Sequence, residues 1–211
     1  MTGLMTSRST SRSPVMLTGH WSSLRLVTGA LRSRLLRKRA DVWSGLTLLR
    51  RCSRRRESAV EAGVELDLRE GDIRELEIEE PAALIYCPGR SLLHLRTWAD
   101  RRRCFERVAA SLRPDGRFAW NAFAFDHQTA SAIDGKHADT PLPHTINYSV
   151  SENRVDITLD DGGTGSLWWA TKNEWLGLLD VAGLRLEALY AGFAGEPLDD
   201  NSHEYVFVAR R

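Results

Sequence analysis

The sequence predicts an α/β domain: a mostly parallel sheet with an antiparallel last strand and a small β insertion near residues 145–170. Three observations lead to this. A short apolar run, Ala83–Cys87 (ALIYC), lies between Pro81 and Pro88, as a buried parallel strand does. A strand pattern, a long amphipathic helix pattern and a second strand pattern follow one another between residues 83 and 123, the order of a parallel crossover. Val155, Ile157 and Leu159 alternate up to Asp160-Asp161-Gly162-Gly163, and Ser166–Ala170 continues beyond, which is a hairpin signature.

The coherent part of the chain begins at Glu57. Glu57–Ala62 reads as the end of a helix, closed by Gly63 at a C-cap position. Val64–Leu68 (VELDL) alternates as a strand, and Gly71-Asp72-Ile73-Arg74 follows it. Thr97–Leu112 is expected to be helical. Thr97 with Asp100 three residues on makes a capping-box-like start, and Phe105, Val108, Ala109 and Leu112 share one face. Pro114-Asp115-Gly116 predicts a tight turn into the strand Arg117–Phe123. Residues 124–144 read as a loop. Thr171 with Glu174 opens another helix, with Trp175, Leu178, Leu179 and Ala182 on its apolar face and Gly183 at its end. Leu184–Phe193 and His203–Ala209 are the last two expected strands.

Composition limits the functions available. The 211 residues, 42% hydrophobic and 27% charged, suffice for one domain with a sizeable core. No apolar run approaches the roughly 18 residues of a membrane span, so no membrane partner is expected and the protein is taken as soluble and cytoplasmic. Cys52, Cys87 and Cys104 form no CxxC pair and have no metal-ligand spacing, which points to a reducing compartment without a disulfide framework. His127, His137 and His144 have no Cys or carboxylate at ligand spacing, so no metal is expected.

Charge divides the chain in two. Residues 1–56 hold thirteen of the 29 basic residues and a single acid, Asp41, whereas residues 57–211 hold 16 basic and 27 acidic residues. Residues 1–56 are therefore set apart as a basic Arg/Ser-rich segment, and 57–211 as the folded domain.

Within 57–211 the motifs carry a family likeness. GDIREL after a strand, CPGRSLLHL after ALIYC, LRPDGRFAWNAF, then WWATKNEWLGLLDVAGL and HEYVFVARR together resemble the layout of class I S-adenosylmethionine-dependent methyltransferases, which have a Rossmann-like sheet. The likeness covers about 155 of the 211 residues and rests on the order and spacing of the motifs. It implies S-adenosylmethionine as cofactor and a small-molecule methyl acceptor. By the resemblance, Asp72 and Ile73 would flank the adenine ring, and Cys87, Pro88, Gly89 and Arg90 would face the methionine part. His94, Asn121 and Trp168 are the candidate substrate residues. Asn121 ends a strand at the carboxyl edge, where open α/β sheets bind ligands. Trp168 and Trp169 straddle the two faces of a strand, so that one belongs to the core and the other is free to line a pocket. Methyl transfer needs chiefly a nucleophile placed in line with the sulfonium carbon, and the sequence names no catalytic residue.

The resemblance stops at the N-terminal segment. A nucleotide-binding sheet of this kind should open with a strand, a Gly-rich turn and an acid about 20 positions later, and residues 1–56 show none of these. Leu31–Arg39 and Leu48–Arg56 have the composition of short basic helices. The segment reads as a solvated basic arm, a phosphate-binding patch, although no aromatics interleave to favour nucleic acid, an organelle transit peptide, or a translation in the wrong frame. In a frame one base earlier, residues 25–30 (RLVTGA) can read ATGDGR, similar to the family's Gly-rich loop. The stretch about Thr47 can read VVGLDSSPAMLAQ, similar to its second strand, with the acid at the codon overlapping Thr47. A single adenine-edge Asp supplies about 1–3 kcal/mol of the roughly 8 kcal/mol that micromolar binding requires. Two functions are thus expected to compete: an S-adenosylmethionine-dependent methyltransferase impaired in this chain, and a non-catalytic methyltransferase-like remnant or binding module with a basic arm.

Overall fold

A computed structural model describes residues 72–139 and 143–211, together with the backbone of three earlier strands, β1 (Val15–Thr18), β2 (Trp43–Thr47) and β3 (Leu66–Arg69). The helix end at Glu57–Gly63, the possible basic helices, the Gly-rich-loop position and the boundary near residue 56 lie outside the described residues.

Seven strands form one sheet. Added to the first three are β4 (Ala82–Cys87), β5 (Leu112–Phe123), β10 (Arg185–Tyr190) and β11 (Glu204–Arg210), in the order β10-β11-β5-β4-β1-β2-β3. The first five strands pair in parallel, and β11 runs antiparallel to both β5 and β10. The chain winds from β1 outward to β3 on one side, then from β4 outward to β5 on the other. The order therefore reverses between β1 and β4, and it is outside the carboxyl ends of the strands at such a reversal that open α/β sheets bind ligands. This is the α/β architecture expected from the sequence.

Between β4 and β5 lies α1 (Trp98–Ser111). Thr97 caps it as expected: its Oγ1 accepts from the Asp100 backbone N–H at 3.0 Å and donates to the Asp100 carboxylate at 2.7 Å. Cys104, Phe105, Val108 and Ala109 are buried against the sheet. Thr171 likewise caps α3 (Lys172–Val181), accepting from Glu174 N at 3.2 Å, and Trp175, Leu178 and Leu179 are buried. The core stacks aromatics from both helices and two strands. Phe105 meets Phe118 edge-on at 5.4 Å, and Trp120 stacks on Phe207 at 4.6 Å and 6°.

Three expectations are corrected. Residues 1–56, read as lacking the opening strand, supply β1 and β2 to the main sheet between β4 and β3. Pro114-Asp115-Gly116 is not a turn ahead of a strand but a wide bulge inside β5. Ala82 pairs with Leu112 and Leu84 with Arg117, so four residues of β5 oppose one of β4. Asp115 takes φ 62° there, and a Cβ at Gly116 would lie 2.9 Å from both the Ala82 and Arg113 carbonyl oxygens. Turn chemistry marks a bulge as readily as a hairpin. The loop expected over 124–144 contains a short helix, α2 (His127–Ile133), and a strand, β6 (His137–Ala138). Asp126 caps α2 by accepting from Thr129 N at 2.7 Å. Its one buried residue, Ala130, leaves too little periodicity to see in the sequence.

The β insertion is a separate antiparallel sheet of β6, β7 (His144–Ser149), β8 (Arg154–Leu159) and β9 (Thr164–Trp168). No helix among the described residues is long and apolar enough to cross a membrane.

Candidate functional site

The first group of candidate residues comes from the segment that leaves β4 and from the end of β5. β4 ends at Cys87, whose thiol is fully buried and pushed up to about 12 by that burial. It stays a neutral thiol, unsuited to act as a nucleophile near neutral pH. Pro88 is buried beside it. Gly89 and Arg90 then take φ 69° and φ 59°, two left-handed residues in succession, the second carrying a side chain that disfavours that conformation. The chain continues into a 3-10 turn, Ser91–His94, where Ser91 Oγ donates to the Pro88 carbonyl at 2.6 Å. His94 is half-buried at the end of that turn.

Arg90 is fixed from two directions. Its backbone N–H donates to Asn121 Oδ1 at 3.1 Å, and its Nε donates to both Glu204 carboxylate oxygens at 3.1 and 3.2 Å, joined by Nη2. Asn121 Nδ2 donates to the same carboxylate, which closes a circuit through three elements. In the register of β5 and β11, Glu204 is paired with Phe123 and Val206 with Asn121, so Glu204 and Asn121 lie diagonally on one face. The Arg90 guanidinium crosses the Phe123 ring at 4.1 Å from its centroid to reach Glu204.

Asp72 and Ile73 sit at a second corner. Asp72 caps the 3-10 turn Ile73–Glu75 by accepting from Arg74 N at 2.8 Å. The Arg74 guanidinium also donates to both Asp72 oxygens, at 2.6 to 3.1 Å, and to Asp100 at 2.7 Å. These hydrogen bonds hold the Asp72 carboxyl below the usual range. Ile73 is 3% exposed and its side chain belongs to the core.

A third group lies where the small sheet meets the end of β5. Phe125 stacks on Trp169 at 4.8 Å and 17°, Tyr148 lies 5.1 Å from Phe125, and Phe123 lies 6.4 Å away on the other side. The Trp169 indole N–H is buried and has no partner among the described residues. Of the adjacent tryptophans it is Trp169, rather than the candidate Trp168, that enters this cluster. The carbonyl of Trp168, the last residue of β9, accepts from Arg101 Nη2. Arg101, 3% exposed, also donates to Leu95 O at 3.1 Å and pairs with Glu174 at 2.6 Å.

The structure thus brings Cys87, Pro88, Arg90 and Asn121 together, while Asp72 is engaged by Arg74 and Ile73 by the core. Sequence reasoning missed Glu204, 114 positions from Arg90, for which no local signal exists. It also missed Arg101, although Arg101, Phe105, Val108 and Leu112 follow one helical stripe.

Comparison with solved structures places the fold. A methyltransferase from Clostridium acetobutylicum described as S-adenosylmethionine-dependent superposes with a TM-score of 0.75 at 13% identity, covering 94% of this chain and 84% of its own. The CcbJ methyltransferase from Streptomyces caelestis gives 0.71 at 17% identity, covering 95% and 84%. CalS10 from Micromonospora echinaspora, an amino pentose methyltransferase solved with S-adenosylmethionine, gives 0.63 at 17% identity, covering 95% and 84%. The chain has the class I S-adenosylmethionine-dependent methyltransferase fold. No protein-family model matches it, and no curated protein matches it either.

The described residues fit such a cofactor in part. The left-handed Gly89–Arg90 turn presents backbone at the switch point, as a ligand-facing turn does. Asp72, in contrast, already receives four contacts from Arg74, so an adenine amine would have to share its oxygens.

Proposed function

We propose that the protein is an S-adenosylmethionine-dependent methyltransferase of small-molecule type whose cofactor affinity is weakened by the sequence of residues 1–56. The observation that carries this reading is the strained turn after β4, held at the point where the strand order reverses. The Cys87–Arg90 backbone would hold the methionine end, and the cofactor would supply the methyl group. The chain's own contribution would be to orient the acceptor and exclude water, with Phe123, Phe125, Tyr148 and Trp169 as the wall of the acceptor side. Amino pentose and glycopeptide N-methyltransferases share the fold, which supports a small-molecule acceptor.

The weakening is read from the N-terminal sequence. β2 spans Trp43–Thr47, the residues whose overlapping codons can read VVGLD in the frame one base earlier. Its last residue is then Thr in place of an acid, and a ribose needs an acceptor carboxylate at this end of the strand.

A second reading, a non-catalytic remnant, draws on the engagement of Asp72 by Arg74. Calorimetric titration separates the two. The chain as it stands and a version with the upstream frame restored are each titrated with S-adenosylmethionine. Micromolar binding by the restored version alone supports the methyltransferase reading. Failure of both to bind at millimolar cofactor overturns it in favour of the remnant. A coding sequence that cannot yield the Gly-rich string removes the explanation of the weakening.

A further inference from the structure

Asn121 stands among the candidate substrate residues, yet it is 2% exposed and both ends of its amide are committed within the protein. Its Oδ1 accepts from Arg90 N at 3.1 Å, and its Nδ2 donates to Glu204. One of its two N–H groups and one of its two acceptor sites are thus used, and its burial keeps the remainder from substrate. It has a direct effect on the backbone, however, because the N–H it captures belongs to a residue at φ 59°. Such a conformation in a residue with a side chain persists only where surrounding contacts over-determine it.

Those contacts come from three places. Asn121 fixes the Arg90 backbone from β5. Glu204, the first residue of β11, holds the Arg90 guanidinium side-on through Nε and Nη2, the strong charge-assisted geometry for arginine. Phe123 supports the guanidinium from below at 4.1 Å. Ser91 Oγ on the Pro88 carbonyl, at 2.6 Å, ties the near side of the same turn. The circuit therefore acts on one object, the four-residue turn Cys87–Arg90. The outer nitrogen of the guanidinium, Nη1, makes no hydrogen bond among the described residues.

We infer that Asn121 and Glu204 are positioning residues, holding the Cys87–Arg90 turn in its left-handed form so that its backbone is preorganised for ligand. The inference deepens the proposed function and rests on its assignment of that turn to the cofactor. It removes Asn121 from the groups that touch substrate and gives Asn121 and Glu204 a role carried through Arg90.

The test uses the full chain with Asn121→Ala, and Glu204→Gln as a milder variant that keeps its size and an acceptor. Amide exchange is measured at Arg90 and, as a control, along β5 and β11. Millimolar sinefungin, a probe with no transferable methyl, is titrated while the Gly89 and Arg90 amide resonances are followed. Exchange at Arg90 should rise about tenfold or more in Asn121→Ala and by less in Glu204→Gln, with the strand amides unchanged. Half-saturation by sinefungin should move to higher concentration in the same order. Unchanged exchange at Arg90, or an equal rise throughout the sheet, overturns the positioning role. If the unaltered chain shows no sinefungin response, the titration is repeated on the version with the upstream frame restored; silence there too defeats the proposed function, and exchange at Arg90 still decides whether these residues hold the turn.

Discussion

The main sheet and the small insertion sheet are held by different means. Behind the main sheet, Phe105, Phe118, Trp120, Trp175 and Phe207 are all fully buried and in mutual ring contact. In the insertion, Val155 is the one buried hydrophobic residue of strands β6 to β9. The small sheet instead relies on its own ladder, on the half-buried cluster of Phe125, Tyr148 and Trp169, and on Arg101 at the Trp168 carbonyl. Stability therefore belongs to the body, whereas the insertion is joined by a few specific contacts. A part held in this way can change its surface without unfolding the domain.

Substitutions at three positions test that division, in descending order of expected effect, and a fourth position adds a smaller effect of acid. Phe105→Ala empties the centre of the aromatic core and should cost about 3–5 kcal/mol in urea unfolding. A loss under 1 kcal/mol would mean that the core does not carry the body. Arg101→Met removes the buried guanidinium and leaves the Glu174 carboxylate and two carbonyls without their donor. About 2–3 kcal/mol should be lost, with Arg101→Lys recovering only part because a lysine cannot reproduce the fork. Trp169→Ala should act locally. Amide exchange should accelerate in β7 to β9 while the core of the main sheet keeps its protection, and an equal change in both sheets would erase the distinction.

The smallest effect concerns acid. Hydrogen bonds from Arg74 lower the Asp72 carboxyl in the folded protein, so the stability it contributes is present above its ordinary value of 3.8 and is lost as pH falls through the lowered folded value. Asp72→Asn should therefore be less stable than the parent at pH 6, by a modest amount given the partial exposure, and the gap should narrow below pH 3.8. A gap that widens in acid would mean that Arg74 does not hold the carboxylate.

Much of the body was legible in the sequence because its signals are local. Thr97 and Thr171 announce their helices by capping chemistry, and the apolar stripe of α1 and the proline-bounded ALIYC strand are set by period and composition. At the candidate site, CPGR stood out through the resemblance of CPGRSLLHL to the family's segment after its fourth strand. The Arg90–Asn121–Glu204 circuit was not legible, because its members meet only after β11 inserts beside β5. Asp72 was placed correctly after its strand, but its engagement by Arg74, two residues on, depends on a 3-10 turn that no periodicity marks. α2 was hidden because a seven-residue helix with one buried side chain has no stripe.

The most direct test of the central claim is the thermal midpoint of the purified full chain with and without millimolar S-adenosylmethionine, since ligand that binds the native state raises it by mass action. The account predicts a cooperative transition, carried by the aromatic core, with a shift of about one degree or less, because a dissociation constant at or above the ligand concentration adds only about 0.4 kcal/mol. A rise of several degrees would contradict it, because residues 1–56 would then complete a full cofactor site as they stand.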